Sequence, residues 1–486
     1  MKMNLTINSL RDNLPAFLII IPMLSSICIL LVARRKFARV FFVATNFVLV
    51  CLSILLILNF TETKYYIFGN WERPIGIEFK IDHLSIYSVS MLYVFCCLFS
   101  IFCFSALKER LEILMQSGKE HIPYVLFLLV ETGYCGILLT NDVFNLYVFL
   151  ELASLATYPL IAMSLNKGSL ISAFEYLIIG TLSAIFILVS IGFILGIVGS
   201  LNLSDINLYF KENGRDIKYI LTFLIIGILI KISVFPLHRW KIKSYANTSP
   251  IILCFFLNIS VLCSIVALLK FSPIIELSSK YSSFYIQIVG YGSVIFSSIL
   301  VFREINFRNI IIFSSISSVG YYLTLWPFNS VESYLLLTKL LIVDGFVKLG
   351  LILVVIAVNK EDLSVSNFNA LVGSNRYISY ITTIILFVAA ALPPSQAFFN
   401  KLAVFRYILI DKNSEIESIM PVMLLSCCSF LFLFAYCRIA MNIFKIDEVG
   451  MNFSVNNIAV NGMATVAIIL LLVLFCFQNP FYEFLI

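Results

Sequence analysis

Charged side chains stand inside apolar runs that are long enough to cross a membrane. Glu151 lies near the middle of NDVFNLYVFLELASLATYPLIAMSL, and Lys231 lies in KYILTFLIIGILIKISVFPLHRW. A charge at the bilayer centre costs about 2.5 to 3.5 kcal/mol on insertion scales, so such residues usually face a protein interior and mark an ion pathway. A carboxylate and a lysine that face each other can bind and release protons, because small movements change how strongly each stabilises the other's charge.

Later apolar segments carry a second set of charges. Asp344 and Lys348 stand at positions i and i+4 in YLLLTKLLIVDGFVKLGLILVV, so a helix places them on one face, where they can neutralise each other. Lys401 follows the pair Pro393 and Pro394 by about two helical turns. The alternative is a structural ion pair for Glu151 and for Asp344 with Lys348, and for Lys231 it is a side chain that reaches up to the membrane surface. The residues for which we predict a role in a proton pathway are Glu151, Lys231, Asp344, Lys348 and Lys401.

Polar side chains in the same segments are further candidates for such a pathway. Glu131 stands in VLFLLVETGYCGILL, where the alternative is a carboxylate bonded to backbone or water. The serines of IIIFSSISSVGYYL can line a wet path or allow close helix packing. The complete set of these further candidates is Glu131, His238, Asn258, Ser260, Ser314 and Ser315.

Composition places these residues in a membrane. Of the 486 residues, 61% are hydrophobic and 12% are charged, which is far outside the range of soluble domains. Runs of about 20 apolar residues cross a bilayer. We therefore predict an all-α polytopic membrane protein, a single transmembrane domain over residues 1–486. Its fourteen predicted helices lie near residues 16–33, 40–60, 84–106, 122–140, 142–163, 170–198, 217–238, 248–271, 284–303, 308–327, 331–358, 376–411, 420–444 and 461–481.

Composition also argues against several kinds of function. No segment between the predicted spans is long enough for a soluble domain, so we expect no cofactor, metal, redox centre or catalytic site in this chain. The twelve cysteines include no CxxC pair and stand beside no histidine cluster, which is typical of small packing residues. The net charge of +6 indicates basic loops at a membrane surface, so we expect no nucleic acid partner.

Basic loops predict the orientation of the chain, because Lys and Arg favour the cytoplasmic side of a membrane. The strongest positive charge lies in Arg34–Arg39, Lys108–His121 and Arg239–Lys243. If these segments are inside, fourteen crossings put both termini on the non-cytoplasmic side of the plasma (inner) membrane. The polar residues 61–83 then lie outside, where alternating residues around a proline predict a small hairpin.

A lysine beside a proline-interrupted helix occurs twice in the sequence. The seventh predicted span contains Lys231 and then Pro236, and the twelfth contains a double proline and then Lys401. Proline removes a backbone donor and clashes with the preceding turn, so both helices should be broken. Each broken helix is the fourth in a set of five spans, residues 122–271 (helices 4–8) and 284–444 (helices 9–13). Because five is an odd number, we predict two inverted repeats, which are typical of transporters.

These residues resemble the antiporter-like membrane subunits shared by Mrp-type Na+/H+ antiporters and respiratory complex I, the NADH:quinone oxidoreductase. The resemblance runs from about residue 69 to residue 405. Its most specific stretches are NDVFNLYVFLELASLATY, KISVFPLHRW, FSSISSVGY and LPPSQAFFNK. With the outer segment GNWERPIGIEFKID, the chain is most similar to the D-type subunit of Mrp antiporters, and the N-type and M-type subunits of complex I are the near alternatives.

The resemblance assigns roles to the charged residues. Glu151 and Lys231 match the family's glutamate of the fifth helix and lysine of the seventh, and they would form the first proton-loading pair. Lys348 matches the lysine of the eleventh helix and, with Asp344, would form a central relay. Lys401 matches the basic residue of the twelfth helix and would lead to the opposite side.

Three departures from the family pattern bear on this path. The eighth helix lacks its usual lysine, and Val261 or Leu262 is nearest to the expected position, so polar neighbours and water would have to bridge the gap. Asp344 stands where a histidine is frequent. The segment KIK, residues 241–243, replaces the usual Leu-Pro step.

The resemblance implies a proton-translocating subunit of a multisubunit Mrp-type cation/proton antiporter, with sodium as the candidate exchanged ion. The alternative is a proton-pumping membrane-arm subunit of the N or M type in NADH:quinone oxidoreductase, where electron transfer belongs to partner subunits. A second alternative, favoured by the missing lysine, is a non-transporting assembly subunit of such a complex. Each alternative implies other membrane subunits and the lipid bilayer as partners.

Overall fold

The computed structural model is built almost entirely of helices. It describes residues 13–71, 73–102, 119–163, 167–213, 218–278, 280–326, 331–358, 364–368, 376–411, 415–445 and 457–478. The helices are α1 (Leu14–Val32), α2 (Arg35–Leu58), α3 (His83–Phe102), α4 (Ile122–Leu139), α5 (Val143–Ala162), α6 (Lys167–Val198), α7 (Leu203–Asn213), α8 (Lys218–Ile232), α9 (Arg239–Ala246), α10 (Pro250–Lys270), α11 (Ser272–Ser278), α12 (Lys280–Arg303), α13 (Phe307–Thr324), α14 (Val331–Val358), α15 (Arg376–Ala389), α16 (Gln396–Asp411), α17 (Glu415–Ile443) and α18 (Asn457–Gln478). The strands are β1 (Lys64–Ile67) and β2 (Glu78–Ile81).

The helices confirm the predicted all-α polytopic class. Ten helices of the described stretches are at least 18 residues long and apolar enough to cross a membrane. Shorter apolar helices add to them, so the exact number of fourteen spans is not confirmed. Parts of the predicted segments lie outside the described residues, namely residues 103–106, 217, 327 and 479–481 of the spans and residues 108–118 of the basic loop.

Both predicted helix interruptions are confirmed. α8 ends at Ile232, and α9 begins only at Arg239. The turn between them starts at Ser233, whose φ of 64° lies in the left-handed region that L-residues seldom adopt. The second break separates α15 from α16, and there Ala391 has a φ of 52°. Since proline cannot donate a helical hydrogen bond, the prolines of each break account for the loss of helix.

The predicted hairpin is also present. β1 pairs with β2 in antiparallel register, with Lys64 opposite Ile81. The buried carboxylate of Glu78, on β2, accepts hydrogen bonds from the side-chain amides of Asn141 at 2.6 Å and Asn202 at 2.7 Å. These bonds tie the hairpin to the loops that precede α5 and α7.

The chain divides into two compact units. The first comprises Met1–Ile232 and Ile259–Ser282. In it α4 packs against α1, α3 and α5, while α6 packs against α5 and α8. α6 is therefore the helix that holds α5 and α8 together in this unit.

The second unit comprises Ser233–Asn258 and Ser283–Ile486. α14 is its central helix and packs against α13, α15, α16 and α18. α9 packs against α13. The division into inverted repeats at residues 122–271 and 284–444 stays a prediction.

A close approach of backbone between α12 and α13 gives a test of the packing. A Cβ on Gly320 would lie 2.7 Å from the carbonyl oxygen of Gly290 and 2.6 Å from Cγ2 of Val294. We expect Gly320→Val to destabilise the protein by about 1 to 3 kcal/mol, because overpacking forces the backbones apart. The matched control is Gly196→Val on α6, where an added Cβ meets nothing within 4 Å. Thermal unfolding in detergent measures both, and equal midpoints would contradict this packing.

Candidate functional site

Glu151 and Lys231 meet in the first unit. α5 begins at the N-cap Asp142, whose carboxylate accepts a hydrogen bond from the backbone N–H of Asn145 at 2.7 Å, and it carries Glu151 about two turns further on. Lys231 lies in the last turn of α8. Its Nζ is 3.2 Å from Oε1 of Glu151 and donates a hydrogen bond to Oγ of Ser154 at 2.6 Å. The two charges predicted to form a pair are therefore in contact.

This pair is largely removed from solvent. The side chain of Lys231 is 8% exposed and that of Glu151 is 19% exposed. Because α8 ends immediately after Lys231, the negative end of its dipole lies beside the ammonium and stabilises it. Since the Lys231 end of the pair is the less exposed one, water can hardly replace the carboxylate there, and separation from Glu151 would strongly change the tendency of Lys231 to keep a proton.

Contacts with α6 fix the spacing of the two helices that carry the pair. Ser183 Oγ donates a hydrogen bond to the carbonyl oxygen of Gly227 at 2.6 Å, one turn before Lys231. A Cβ on Gly227 would lie 2.6 Å from the side chain of Ile187, so only glycine allows this approach of α8. Two turns before Ile187 on the same face of α6, the hydroxyl of Tyr158 lies against Gly180.

Asp344 is the centre of a second cluster, which lies within the second unit. Its Oδ1 accepts a hydrogen bond from Ser318 Oγ at 2.7 Å, and its Oδ2 accepts one from the Tyr322 hydroxyl at 2.7 Å. The ammonium of Lys348, one turn along α14, also donates to Oδ2 and forms a salt bridge. Lys348 is buried. The predicted i, i+4 pair therefore forms, and two hydroxyls of α13 complete it.

Asp344 and Lys401 line the same cavity. The cavity has a volume of about 90 Å³, which is enough for several water molecules, and serines and tyrosines of α13 form one wall. Lys401, on α16, places its Nζ 5.6 Å from the centre of the Tyr321 ring. The Tyr321 hydroxyl in turn shares a hydrogen bond of 2.6 Å with Ser429. The cavity thus connects the two predicted residues through a space that water can fill.

The further candidates are spread over both units. Glu131 is fully buried on α4, beside Asn46 and Cys96, and belongs to a different part of the first unit from the Glu151 pair. His238 stands in the break after α8, with its ring 5.7 Å from that of Phe235.

Three of these candidates bond to the backbone or accept bonds within their own helices. The side-chain amide of Asn258 donates to the carbonyl oxygen of Cys254 at 3.0 Å. The carbonyl oxygen of Ser260 accepts from Ser264 Oγ at 2.6 Å. Ser314 Oγ donates to a backbone carbonyl one turn earlier and also lines the cavity beside Asp344. Ser315, the remaining candidate, accepts a hydrogen bond from Lys241.

Two residues of the second cluster were not singled out from the sequence. Tyr322 follows Ser318 by four positions, so a helix places both hydroxyls on one face, and that spacing could have indicated its role. The positive charge of Arg239–Lys243 predicts a basic loop that contains Lys241. In the structure this segment begins α9, and Lys241 is 2% exposed. The spacing of four residues in this segment fits one face of a helix and could have indicated a buried helix in place of a loop. These residues, all buried in the structure, are Trp240, Lys241, Ser244 and Tyr245.

Comparison with known proteins identifies the family. Residues 140–431, more than half of the chain, match the family model described as NADH:quinone oxidoreductase/Mrp antiporter, TM. The matched region contains both clusters.

Two relatives and one solved structure extend the match over most of the chain. The N-type subunit of the NADH-quinone oxidoreductase of Desulforudis audaxviator is 30% identical over 80% of this chain and 79% of its own length. The D-type subunit of the Na(+)/H(+) antiporter of Alkalihalophilus pseudofirmus is 25% identical over 76% of this chain and 74% of its own length. A chain of the membrane-bound sulfane sulfur reductase, an archaeal respiratory membrane complex, has the same fold, with a TM-score of 0.87, 20% identity and coverage of 97% of this chain and 96% of that one.

These matches agree with the ten apolar helices, among the described residues, that are long enough to cross a membrane. The protein is an integral, multi-pass membrane protein. It belongs to the antiporter-like family of transmembrane subunits that NADH:quinone oxidoreductase and the Mrp antiporters share.

Proposed function

We propose that this chain carries protons across the membrane as an antiporter-like subunit of a multisubunit complex. The observation that carries the proposal is the contact between Lys231 and Glu151 at the break after α8. Opposite charges in a largely buried site favour each other's ionised forms while they touch. When the pair separates, the lysine releases a proton or the glutamate binds one, so movement at the helix break is coupled to proton transfer.

The second cluster supplies the next steps of the path. Asp344 and Lys348 form the central relay, since Asp344 is hydrogen bonded to hydroxyls that can pass protons. Lys401 forms the exit, because it opens on the same water-sized cavity as Asp344. Of the further candidates, Ser314 lines this cavity and Ser315 follows it on α13, while roles for Glu131, His238, Asn258 and Ser260 stay predictions. No redox group is needed in this chain for any of these steps.

The two interrupted helices support a path made of two half-channels that open to opposite sides of the membrane. α8 carries Lys231 immediately before the first break, and α16 carries Lys401 after the second. In inverted repeats over residues 122–271 and 284–444, each break would serve one half-channel, and the two half-channels would open to opposite sides. From the basic segments we propose that both termini lie on the non-cytoplasmic side of the plasma (inner) membrane.

The relatives support two kinds of host complex with different driving forces. The relative named as part of a Na(+)/H(+) antiporter suggests exchange of protons against sodium together with other membrane subunits. The relative named as part of NADH-quinone oxidoreductase suggests proton pumping driven by electron transfer in partner subunits. The lysine missing near Val261 from the eighth predicted span, α10 in the structure, favours a third role, an assembly subunit that carries no ions.

Proton movement by the whole complex tests the proposal. We expect the complex, purified and reconstituted in proteoliposomes, to change the internal pH, read with a pH-sensitive dye. Movement under a sodium gradient without an electron donor indicates the antiporter, whereas movement that needs NADH indicates the oxidoreductase. A proton leak through lipid is excluded by liposomes without protein. No proton movement under either condition would contradict the proposal and leave the assembly role.

A further inference from the structure

Lys241 is a buried lysine on the short helix α9. Its side chain is 2% exposed, and its Nζ donates a hydrogen bond to Ser315 Oγ at 3.1 Å. The ammonium also lies 5.7 Å from the centre of the Tyr245 ring, a distance at which the ring face attracts a cation. The charged groups that act on it electrostatically are Asp344 and Lys348. A buried lysine held by a neutral hydroxyl and a ring is costly to keep charged, so its position calls for an explanation.

The position of Lys241 is fixed by bonds at the other end of α9. The guanidinium of Arg308, on α13, donates to the carbonyl oxygens of Ala246 at 2.7 Å and Thr248 at 3.1 Å. A cation at a helix C-terminus satisfies its last carbonyls and complements its dipole. α9 is thus held against α13 near both of its ends, and Lys241 cannot swing out to a surface while these bonds persist.

The hydroxyl that Lys241 contacts belongs to the helix face that holds Asp344. Ser315, Ser318 and Tyr322 follow each other at intervals of three and four residues, so they lie along one face of α13. Ser318 and Tyr322 are the two hydroxyl donors to the Asp344 carboxylate, each at 2.7 Å. Three residues of helix rise by about 4.5 Å, which a single water molecule spans between the hydroxyls of Ser315 and Ser318.

We propose that Lys241 exchanges protons with Asp344 through these hydroxyls, and so supplies the lysine that the eighth predicted span, α10 in the structure, lacks near Val261. This inference rests on the proposed function. A proton leaves the Lys241 ammonium for Ser315 Oγ. At the same time the hydroxyl proton of Ser315 passes through the bridging water to Ser318 Oγ. Ser318 passes its own hydroxyl proton to Oδ1 of Asp344, so that Lys241 ends as a neutral amine and Asp344 as a neutral acid. The reverse sequence restores both charges.

The placement of Lys241 in the chain suits such a role. It follows Lys231 along the chain and is separated from it by the first helix break, residues 233–238. The two lysines thus stand one before and one after the same interruption of the helix.

The test uses the complete complex in proteoliposomes under the condition that drives proton movement. We expect Lys241→Leu to lower proton flux at least about tenfold at an unchanged content of complex, since a positioned acid–base group is lost. Removing a buried charge in favour of an apolar side chain of similar volume is expected to leave folding intact. In Lys241→His we expect partial flux whose dependence on pH is displaced to lower pH, because imidazole titrates near pH 6.5. A purely structural lysine would not produce that displacement.

Two further variants separate the possible failures. Lys243→Leu removes a lysine from the same helix, and we expect wild-type flux from it. Lys231→Met reports on the proposed function itself. If Lys231→Met abolishes flux while both Lys241 variants keep the wild-type rate and pH profile, the role of Lys241 is wrong and the proposed function stands. If Lys231→Met also keeps the wild-type rate, both are wrong.

Discussion

Asp344→Asn is expected to lower both the stability of the complex and its proton flux. The change removes the anionic partner of Lys348, whose side chain is 2% exposed, while the size of the side chain is kept. Breaking a buried ion pair by removing one partner costs about 3 to 5 kcal/mol. Since Asp344 lines the cavity and is partly exposed, we expect about 3 kcal/mol, at the lower end of that range. Thermal unfolding of the purified complex measures the loss of stability.

A double variant separates this stability effect from transport. Lys348→Met added to Asp344→Asn removes the unpaired charge from the buried site. We expect the unfolding temperature to recover most of its loss, because an ion pair replaced by uncharged groups of similar size is often neutral for stability. Proton flux should stay low, because the relay has lost both of its titratable groups. Recovery of flux together with stability would show that the pair is structural.

Lys231→Met is expected to abolish most of the proton flux while the complex still assembles. Positioned acid–base groups contribute about 10² to 10⁴-fold to proton-transfer steps, so we expect a reduction of about 100-fold or more. Stability should suffer little, because Glu151 remains 19% exposed and can be solvated or protonated when its partner is lost. Dye-reported pH change in proteoliposomes with equal amounts of complex measures the flux.

Two variants frame this result. Lys211→Met removes an exposed lysine from α7, a helix that contributes no residue to either cluster, and should leave flux unchanged. Ser154→Ala removes a hydroxyl that accepts from Lys231 at 2.6 Å but leaves the ion pair, so its effect should be smaller than that of Lys231→Met. Equal flux in Lys231→Met and Lys211→Met would contradict a role of the pair in transport.

Much of the fold could be predicted because each signal was local. The apolar runs have the length that a bilayer requires, and prolines that cannot donate a helical hydrogen bond marked both breaks. The pairing of Asp344 with Lys348 follows from their separation by four residues in one helix. These features need no knowledge of which helices are neighbours.

Other features of the candidate site depend on tertiary packing, which the sequence does not show directly. The contact between Glu151 and Lys231 joins residues 80 positions apart, and it was expected because isolated charges in membrane helices need partners. The burial of Lys241 could not be inferred in the same way. A run of lysines is typical of a cytoplasmic loop, and only the packing of α9 against α13 places this lysine beside Ser315. The spacing of Tyr322 from Ser318 is visible in the sequence, but its contact with Asp344 depends on the packing of α13 against α14.

The central claim is that protons pass through the charged pair at the first helix break. The most direct measurement is the pH difference formed by proteoliposomes that hold the assembled complex, compared between the wild type and Glu151→Ala at equal complex content. The pair predicts that Glu151→Ala forms little or no pH difference, because Lys231 then has no carboxylate with which to exchange a proton at 3.2 Å. A pH difference of wild-type size and rate in Glu151→Ala would contradict the claim.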